Sequence, residues 1–344
     1  MAALYSPPLP KVPERSLPMP TPVLICDDSS FARKQMARAI PSSWDVEIHF
    51  ASSGEEALEA IREGRGDILF LDLNMPGLDG YGVLETIRRE DLPSLVVVVS
   101  GDVQPEARER VRRLGALEFI RKPIDPERVT ALLDRFGIRL DRQAAPEAER
   151  RRIEEPRVTE FDIFQEIANV AMGRAADLLA RYLGVFVQLP VPEVRLVDRD
   201  GLAAMLPPPA TQRGMTAVSQ GFMAGEIAGE ALLLVEEGRF RGLGSALTGE
   251  PCDEDELRMD AANLLIGACL RGIAEPLDLD FGLSHPVLLP MDPPLAEQLR
   301  PFEEALAFRF NYRIEDHQAE CDLLLLFTPQ ALPALSERVG HLDD

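Results

Sequence analysis

Five polar side chains stand out because each comes at the end of a short apolar run or close behind it: Asp27, Asp28, Asp72, Ser100 and Lys122. Carboxylates that converge on one place cannot all stay ionised without a compensating charge. Oxygen ligands of this kind suit Mg²⁺, which can also take a phosphate oxygen. A lysine can neutralise a second phosphate oxygen, and a serine hydroxyl can donate to a third. If these side chains meet in space, they predict a site at which Asp72 accepts a phosphoryl group.

The apolar runs themselves predict how this site is assembled. They are short and rich in valine, isoleucine and leucine, which is typical of strands buried on both faces: Val23–Cys26, Val46–Phe50, Ile68–Leu71, Leu95–Val99 and Ala116–Ile120. Segments with helical periodicity follow them: Ser29–Ile40, Gly54–Glu63, Gly80–Arg89, Pro105–Leu114 and Pro126–Phe136. The alternation predicts a parallel, doubly wound sheet. Ligands bind at the carboxyl ends of such strands, where the five polar side chains lie.

A second group of polar residues lies on a predicted helix in the other half of the chain. Asp162, Glu166, Asn169 and Gly173 share one face at helical spacing, and apolar residues supply the buried stripe. We therefore expect the three polar side chains to project outward together. A carboxamide is too weak a base to deprotonate water, but it can hold and orient a water molecule. The glycine leaves room for another surface to approach the helix backbone.

The same pattern recurs 94 residues later, which indicates an internal duplication. Asn169 is followed after 23 residues by Pro192, and Asn263, which comes three residues after Asp260, is followed after 23 residues by Pro286. Gly267 stands four residues after Asn263, as Gly173 does after Asn169. We predict a pseudo-twofold α+β unit in which each half is a long helix followed by strands. The predicted strands include Met215–Met223, Glu230–Val235, Phe308–Ile314 and Cys321–Phe327.

Residues 21–137 resemble the receiver domains of response regulators, which have the flavodoxin-like fold with strand order 2-1-3-4-5. The resemblance rests on Asp27-Asp28, on Asp72 with Asn74-Met75-Pro76-Gly77, and on Ser100, Phe119 and Lys122-Pro123. It implies that a sensor histidine kinase phosphorylates Asp72. It also implies that Asp28, Asp72 and the Asn74 carbonyl bind Mg²⁺, that Asp27 reaches the ion through water, and that Ser100 and Phe119 form a switch pair.

Residues 159–339 resemble the CheC/CheX/FliY family of chemotaxis phosphatases, whose signature is Asp/Ser-xxx-Glu-xx-Asn-x22-Pro. The first copy matches at Asp162, Glu166, Asn169 and Pro192. The second copy matches at Asn263 and Pro286 but has Glu256 and Asp260 in place of Asp/Ser and Glu. The resemblance implies that Asn169 orients a water for attack on the phosphate of a receiver, and that Glu166 contacts the receiver's lysine. The shorter Asp260 makes the second site degenerate.

Charge and composition complete the expected organisation. We expect a proline-rich disordered arm at 1–20, a receiver domain at 21–139, a charged linker at 140–160 and the phosphatase-like domain at 161–339. The net charge of the chain is −22; residues 21–139 contribute −5 and residues 161–344 contribute −17. So acidic a domain repels phosphate backbones, which excludes nucleic acid as a partner. Four cysteines without metal-ligand spacing, and no long apolar run, favour a cytoplasmic protein without a membrane span.

Three functions are compatible with these patterns. The first is a response regulator whose output hydrolyses the aspartyl phosphate of a separate, CheY-like receiver. The second is hydrolysis of the phosphate on its own Asp72, or on that of a twin subunit in a homodimer. The third is a non-enzymatic docking module that phosphorylation controls, with the Asn169 and Asn263 helices as the binding surface.

Overall fold

A computed structural model describes residues 20–135, 157–212, 214–236, 254–302, 304–314 and 319–342. The predicted proline-rich arm and most of the predicted linker lie outside these residues. The described residues form a parallel sheet flanked by helices, followed by a mostly antiparallel sheet with two long helices on one face. None of the helices in these ranges combines the length and the apolar character that crossing a membrane requires.

The first sheet has the predicted strand order, β2-β1-β3-β4-β5, and all neighbouring strands are parallel. Its strands are β1 Thr21–Cys26, β2 Val46–Ala51, β3 Ile68–Leu71, β4 Leu95–Ser100 and β5 Glu118–Arg121. Its helices are α1 Ser30–Ala39, α2 Gly54–Arg62, α3 Gly80–Glu90, α4 Pro105–Arg113 and α5 Pro126–Arg135. Each strand and helix lies within a few residues of its predicted bounds.

Helices cover both faces of this sheet, which explains why its three central strands, β1, β3 and β4, are almost wholly apolar. Ile68 and Phe70 of β3 pack with α1 and α5, whereas Leu69 and Leu71 pack with α2, α3 and α4. A side chain that points either way from such a strand enters a core. The polar residues of these central strands therefore lie at the strand ends or directly beyond them, where they form a site.

The second sheet has the order β10-β8-β9-β13-β12-β6, with β11 also on β8 and β7 also on β12. The strands are β6 Val187–Gln188, β7 Glu193–Val197, β8 Met215–Ala224, β9 Ile227–Glu236, β10 Gly282–Leu283, β11 Val287–Leu289, β12 Ala305–Ile314 and β13 Ala319–Phe327. The helices are α6 Glu160–Leu183, α7 Arg199–Met205, α8 Pro209–Gln212, α9 Glu254–Ala274, α10 Leu295–Gln298 and α11 Leu332–Gly340, with short 3-10 turns at Arg300–Phe302 and Pro329–Ala331.

The duplication is visible in this topology. The two short strands after α6 pair with β12, and the two short strands after α9 pair with β8. β9 and β13 pair with each other at the centre, so the strand order is the same from either edge. The predicted pseudo-twofold α+β arrangement is therefore present. The sequence patterns did not predict the short edge strands, because two to five paired residues leave too little periodicity to detect.

Helices α6 and α9 lie side by side on one face of this sheet. A Cβ on Gly272 of α9 would lie 2.6 Å from the Cα of Ala171 of α6, so the two helices cross closely there. Their inner faces join the apolar core of the sheet, which includes Phe308, Phe310 and Phe327. The outer face of α6 is turned toward the first sheet, and α6 thereby brings the two predicted sites together.

Candidate functional site

Three carboxylates meet at the carboxyl ends of β1 and β3. Asp27, Asp28 and Asp72 each offer an oxygen, and the three oxygens lie within 4.8 Å of one another. Asp27 and Asp72 are almost fully buried, and Oδ1 of Asp28 is buried without a hydrogen-bond partner in the protein. Oδ2 of Asp72 accepts a bond of 2.8 Å from the backbone N–H of Asn74. Hard, partly unsatisfied oxygen ligands at this spacing fit Mg²⁺.

Lys122 lies at the centre of the site. Its ammonium is 2.7 Å from Asp27 Oδ2, 3.2 Å from Asp72 Oδ1 and 3.1 Å from Glu166 Oε2. The first two partners follow strands of the same domain as Lys122, and the third comes from α6 of the following domain. Burial by itself would lower the pKa of Lys122, but the three carboxylates raise it well above its usual value. Lys122 is therefore a permanent positive charge in this site.

Negative charge nevertheless exceeds positive charge in the site, and the pKa values show the effect. Burial, reinforced by the neighbouring Asp27 and Asp72, raises the pKa of Asp28 to about 7. Burial also raises the pKa of Asp72 to about 6, although Lys122 opposes the shift. For Glu166, burial again outweighs Lys122 and raises the pKa to about 8. A cluster that resists ionisation in this way is a cluster that a divalent cation would stabilise.

The two predicted switch residues, on β4 and β5, have different settings. Ser100 is fully buried at the end of β4, and its Oγ accepts a bond of 3.2 Å from the N–H of Asp102. Phe119 of β5 is buried in the core of the first domain, and the guanidinium of Arg108 lies 5.5 Å from its ring centre. The Ser100 hydroxyl is thus at the end of β4, the strand next to β3, and the aromatic ring is turned inward.

Helix α6 places Glu166 and Asn169 against the same strand ends. Both side chains are buried, with 5% and 3% of their surface exposed, so the outward direction that we expected does not lead into solvent. They do point away from the core of their own domain, but the first domain covers them. Oδ1 and Nδ2 of Asn169 are both buried and have no hydrogen-bond partner in the protein. A buried carboxamide with free donor and acceptor groups is costly unless it binds something.

Asp162, which the spacing places on the same helical face, caps the start of α6. It stands at the third position of α6, where its carboxylate accepts a bond of 2.7 Å from the backbone N–H of Thr159. The Thr159 hydroxyl oxygen accepts in return from the Asp162 N–H, and the two residues form a capping box. The Asp162 carboxylate is committed to starting the helix rather than to the site. The spacing fits a helix cap as well as a place in the site, because Asp162, in the first turn of α6, lies on the same face as Glu166.

Two glycines allow α6 to come close to the strand ends. A Cβ on Gly173 would lie 2.1 Å from the carbonyl oxygen of Gly101, and a Cβ on Gly101 would lie 3.0 Å from the carbonyl oxygen of Asn169. The predicted role of Gly173, to leave room for another surface, is confirmed. Gly101 follows Ser100 directly and was not predicted, since a single glycine after a strand is common in loops.

Two further contacts hold the domains together. The side chain of Gln104 donates to the carbonyl of Val187 at 2.7 Å and accepts from its N–H at 3.0 Å. Phe31 of α1 belongs to the apolar cluster built by α6 and the second sheet. No sequence signal marked either residue, because a loop glutamine and an amphipathic helix look alike whether or not another domain covers them.

The second copy of the motif has different surroundings. Asp260 and Asn263 of α9 are exposed, and Oδ1 of Asn263 accepts a bond of 3.2 Å from the side-chain amide of Gln220. A Cβ on Gly267 would meet nothing closer than Nη1 of Arg271 at 3.7 Å. Among the described residues, the first domain thus covers one copy of the motif and leaves the other open to solvent.

Comparison with known proteins identifies the domain that contains the first sheet and its carboxylate site. The family model for the response regulator receiver domain matches residues 23–134. These residues form a receiver domain. Such domains bind Mg²⁺ at an acidic cluster like that of Asp27, Asp28 and Asp72, and they imply a phosphodonor such as a histidine kinase.

Two curated relatives carry the same name. Protein-glutamate methylesterase/protein-glutamine glutaminase 5 of Myxococcus xanthus is 41% identical over 106 residues, which are 30% of this chain and 30% of the relative. Methylesterase/glutaminase 3 of Geobacter sulfurreducens is 31% identical over 213 residues, 58% of this chain and 54% of the relative. The chain therefore spans about half or less of the length of either relative.

One similar solved structure is a chain of the CheX-CheY-BeF3-Mg²⁺ complex from Borrelia burgdorferi. It is 31% identical, and the match covers 34% of this chain and 89% of that one, with a TM-score of 0.32. The signal receiver domain of NarL from Mycobacterium tuberculosis is also 31% identical, over 36% of this chain and the whole of that one, with a TM-score of 0.33.

Proposed function

We propose that this protein is a response regulator that is phosphorylated on Asp72 and that its second domain, which resembles the CheC family, hydrolyses the resulting aspartyl phosphate. The observation that carries the proposal is the position of α6. Glu166 lies 3.1 Å from Lys122, and the unpartnered carboxamide of Asn169 is buried beside the same strand ends. A docked helix that fixed only the domain arrangement would have no need to bury an unpaired amide there.

The roles of the residues follow from their chemistry. Glu166 pairs with Lys122 and sets how deeply and in which register α6 enters the site. Asn169 then holds the attacking water, donating from Nδ2 or accepting at Oδ1. Lys122 neutralises charge on the phosphoryl oxygens, and Ser100 donates to another oxygen. Bound at Asp28, Asp72 and the Asn74 carbonyl, Mg²⁺ would offset the charge of the transferring group.

Positioning is sufficient for this reaction. An acyl phosphate is already reactive, so what the protein has to add is a water held in line with the bond that breaks. A 100-fold acceleration requires a barrier lowered by only ~2.7 kcal/mol. Losing one positioned group in a catalytic site typically lowers the rate by ~10²–10³. The amide of Asn169 alone can therefore account for an acceleration of about 100-fold.

The contact within one chain favours its own Asp72 as the substrate of the first site. To test this, the full-length protein is phosphorylated with acetyl phosphate and Mg²⁺, the reagent is removed, and the decay of phospho-Asp72 is followed. We expect Asn169→Ala to slow the decay about 100-fold. The matched control is Asn263→Ala, which changes the same residue type in the duplicate. A decay rate that Asn169→Ala leaves unchanged would refute the proposal.

Protein concentration separates hydrolysis within one chain from hydrolysis between twin subunits. A reaction within one chain is first order, and its rate constant is independent of dilution. A reaction between chains slows on dilution, and mixing Asn169→Ala with unphosphorylated Asp72→Asn protein would restore it. We expect no restoration on mixing.

Hydrolysis of the phosphate on a separate receiver is the second candidate function, and the exposure of Asp260 and Asn263 favours it. This copy is free to accept another receiver while the first copy is covered. Its weaker point is Asp260, which is one methylene shorter than Glu166 and reaches less far toward a lysine. Adding a phosphorylated CheY-like receiver tests this function: Asn263→Ala should abolish any hydrolysis of the added phosphate, while Asn169→Ala should preserve it. If the protein hydrolyses neither the phosphate on its own Asp72 nor that on the added receiver, the non-enzymatic docking module is the remaining function.

The activity named for the relatives is not what we propose. Ester hydrolysis by a protein nucleophile needs a hydroxyl or thiol next to a base. Within the described ranges no serine or cysteine side chain is hydrogen-bonded to a histidine ring. Burial raises the pKa of Cys26, Cys269 and Cys321, which makes their thiols poor nucleophiles.

A further inference from the structure

Helix α6 closes the phosphoacceptor site from one side. With only 3% of Asp72 and 4% of Lys122 exposed, a phosphoryl group needs a way in or out while the domains are docked. A cavity of about 360 Å³ opens from solvent beside Lys122. Its walls come from both domains: Val103, Arg121, Lys122, Pro123, Asp125 and Arg128 from the receiver, and Arg174 from α6. We call it the arginine cavity.

The charges around this cavity are mostly positive, in a chain whose net charge is −22. Arg128 has Asp125 at 3.8 Å, and Arg174 forms an ion pair with the largely exposed Glu275. Arg121 has no ion-pair partner in the part of the chain that the structure describes. Burial, and then the charge of Arg121, lower the pKa of Arg174, so the two guanidinium groups repel each other across the domain boundary. Two like charges brought together by domain docking are stabilised by an anion between them.

We propose that the arginine cavity binds a phosphate-sized oxyanion, with Arg121 and Arg174 as its principal ligands and Arg128 at the rim. The planar guanidinium fork matches the oxygens of a phosphate group in geometry and charge. Because Lys122 forms one wall, an anion held here is next to the lysine that contacts Asp72. The cavity would receive a small acyl phosphate before transfer or inorganic phosphate after hydrolysis. The second of these tasks rests on the proposed function, whereas the binding does not.

Binding is measured directly with inorganic phosphate. The unphosphorylated full-length protein is titrated by calorimetry in a magnesium-free chloride buffer, so that the carboxylates of the phosphoacceptor site repel the ligand. We expect Arg121→Gln and Arg174→Gln each to weaken phosphate binding about tenfold, which corresponds to ~1.4 kcal/mol. The matched control is Arg112→Gln, which removes the same charge from an exposed position on α4. Equal affinities in all four proteins, or no binding in the wild type, would overturn the proposal.

Kinetics separate the two sources of the anion. The Asn169→Ala background is used, so that failure of the proposed hydrolysis does not affect the result. If the cavity receives the donor, inorganic phosphate should inhibit labelling of Asp72 by acetyl phosphate competitively, and Arg121→Gln should raise the acetyl phosphate concentration for half-maximal rate about tenfold. If it holds only the product, phosphate binds as above and labelling is unaffected. Labelling that needs neither arginine, together with absent phosphate binding, would exclude both tasks.

Discussion

The close approach of Gly173 to Gly101 offers a sharp test of the docked arrangement. Replacing Gly173 by alanine would place a Cβ 2.1 Å from the carbonyl oxygen of Gly101, 2.5 Å from its carbonyl carbon and 2.9 Å from the N–H nitrogen of Asp102. All three atoms belong to the backbone, so no side-chain rotation can relieve the contact. To restore an ordinary separation, α6 and the loop after β4 must move apart by more than 1 Å.

Two effects of opposite sign follow from this substitution. Alanine favours a helix interior over glycine by ~1 kcal/mol, so the second domain by itself should become more stable. At the contact, overpacking of this kind costs typically 1–3 kcal/mol. A displacement of about 1 Å in a catalytic arrangement can lower a rate by ~10²-fold. We therefore expect phospho-Asp72 to decay about 100-fold more slowly, while the second domain melts at the wild-type temperature or above it.

The duplicate provides a matched control. Gly267 occupies the corresponding position of α9, and a Cβ there would lie 3.7 Å from Nη1 of Arg271, an ordinary contact. Gly267→Ala should therefore gain the ~1 kcal/mol of helix stability without any effect on phosphate decay. The assay is the lifetime of phospho-Asp72 in both variants, with calorimetric melting beside it. A wild-type lifetime in Gly173→Ala would mean that the close approach of α6 has no part in hydrolysis.

Three further predictions test other contacts. Asp72→Asn should abolish the single phosphate that acetyl phosphate and Mg²⁺ add to the protein; undiminished labelling by mass spectrometry would contradict the assignment. Gln104→Ala leaves the backbone N–H and carbonyl of Val187 unpaired at a cost of about 1–3 kcal/mol, so hydrogen exchange at the Val187 amide should accelerate, and unchanged exchange would show that the domains do not dock there. Burial, reinforced by Asp177 and Glu106, raises the pKa of Asp102 to about 6, although bonds from Gln104 oppose the shift. Its charged form therefore destabilises the fold above pH 6, and protonation relieves this as the pH falls toward 4. The wild-type free energy of unfolding should rise relative to that of Asp102→Asn by up to ~3 kcal/mol between pH 7 and pH 4, and parallel pH profiles would refute this account.

The receiver half of the protein could be derived from its sequence almost completely. Strands buried on both faces must be apolar along their whole length, so short valine-rich and isoleucine-rich runs identify them without knowledge of their neighbours. Polar residues are then restricted to the strand ends, and right-handed crossovers bring those ends to one edge of the sheet. The meeting of Asp27, Asp28, Asp72 and Lys122 follows from these local rules, and the structure has all four together.

The duplication in the second half could also be predicted from the sequence. The different surroundings of its two copies could not. Spacing alone placed Glu166 and Asn169 on one helical face and Asp260 and Asn263 on another. The spacing also placed Asp162 on the face of Glu166 and Asn169, although the Asp162 carboxylate forms the capping box at the start of α6. Helical spacing indicates which face of a helix points away from the core of its own domain. It does not indicate what each side chain on that face contacts.

Only the tertiary structure decided what covers that outer face. The first copy lies under the receiver, with Glu166 on Lys122 and Gly173 against Gly101, whereas Asn263 in the second copy is exposed. Docking of this kind depends on the matching of two surfaces that are far apart in the chain and on backbone groups that carry no side-chain signal. Neither of these has a local period or motif, so the sequence determined both sites separately, and folding in three dimensions joined them.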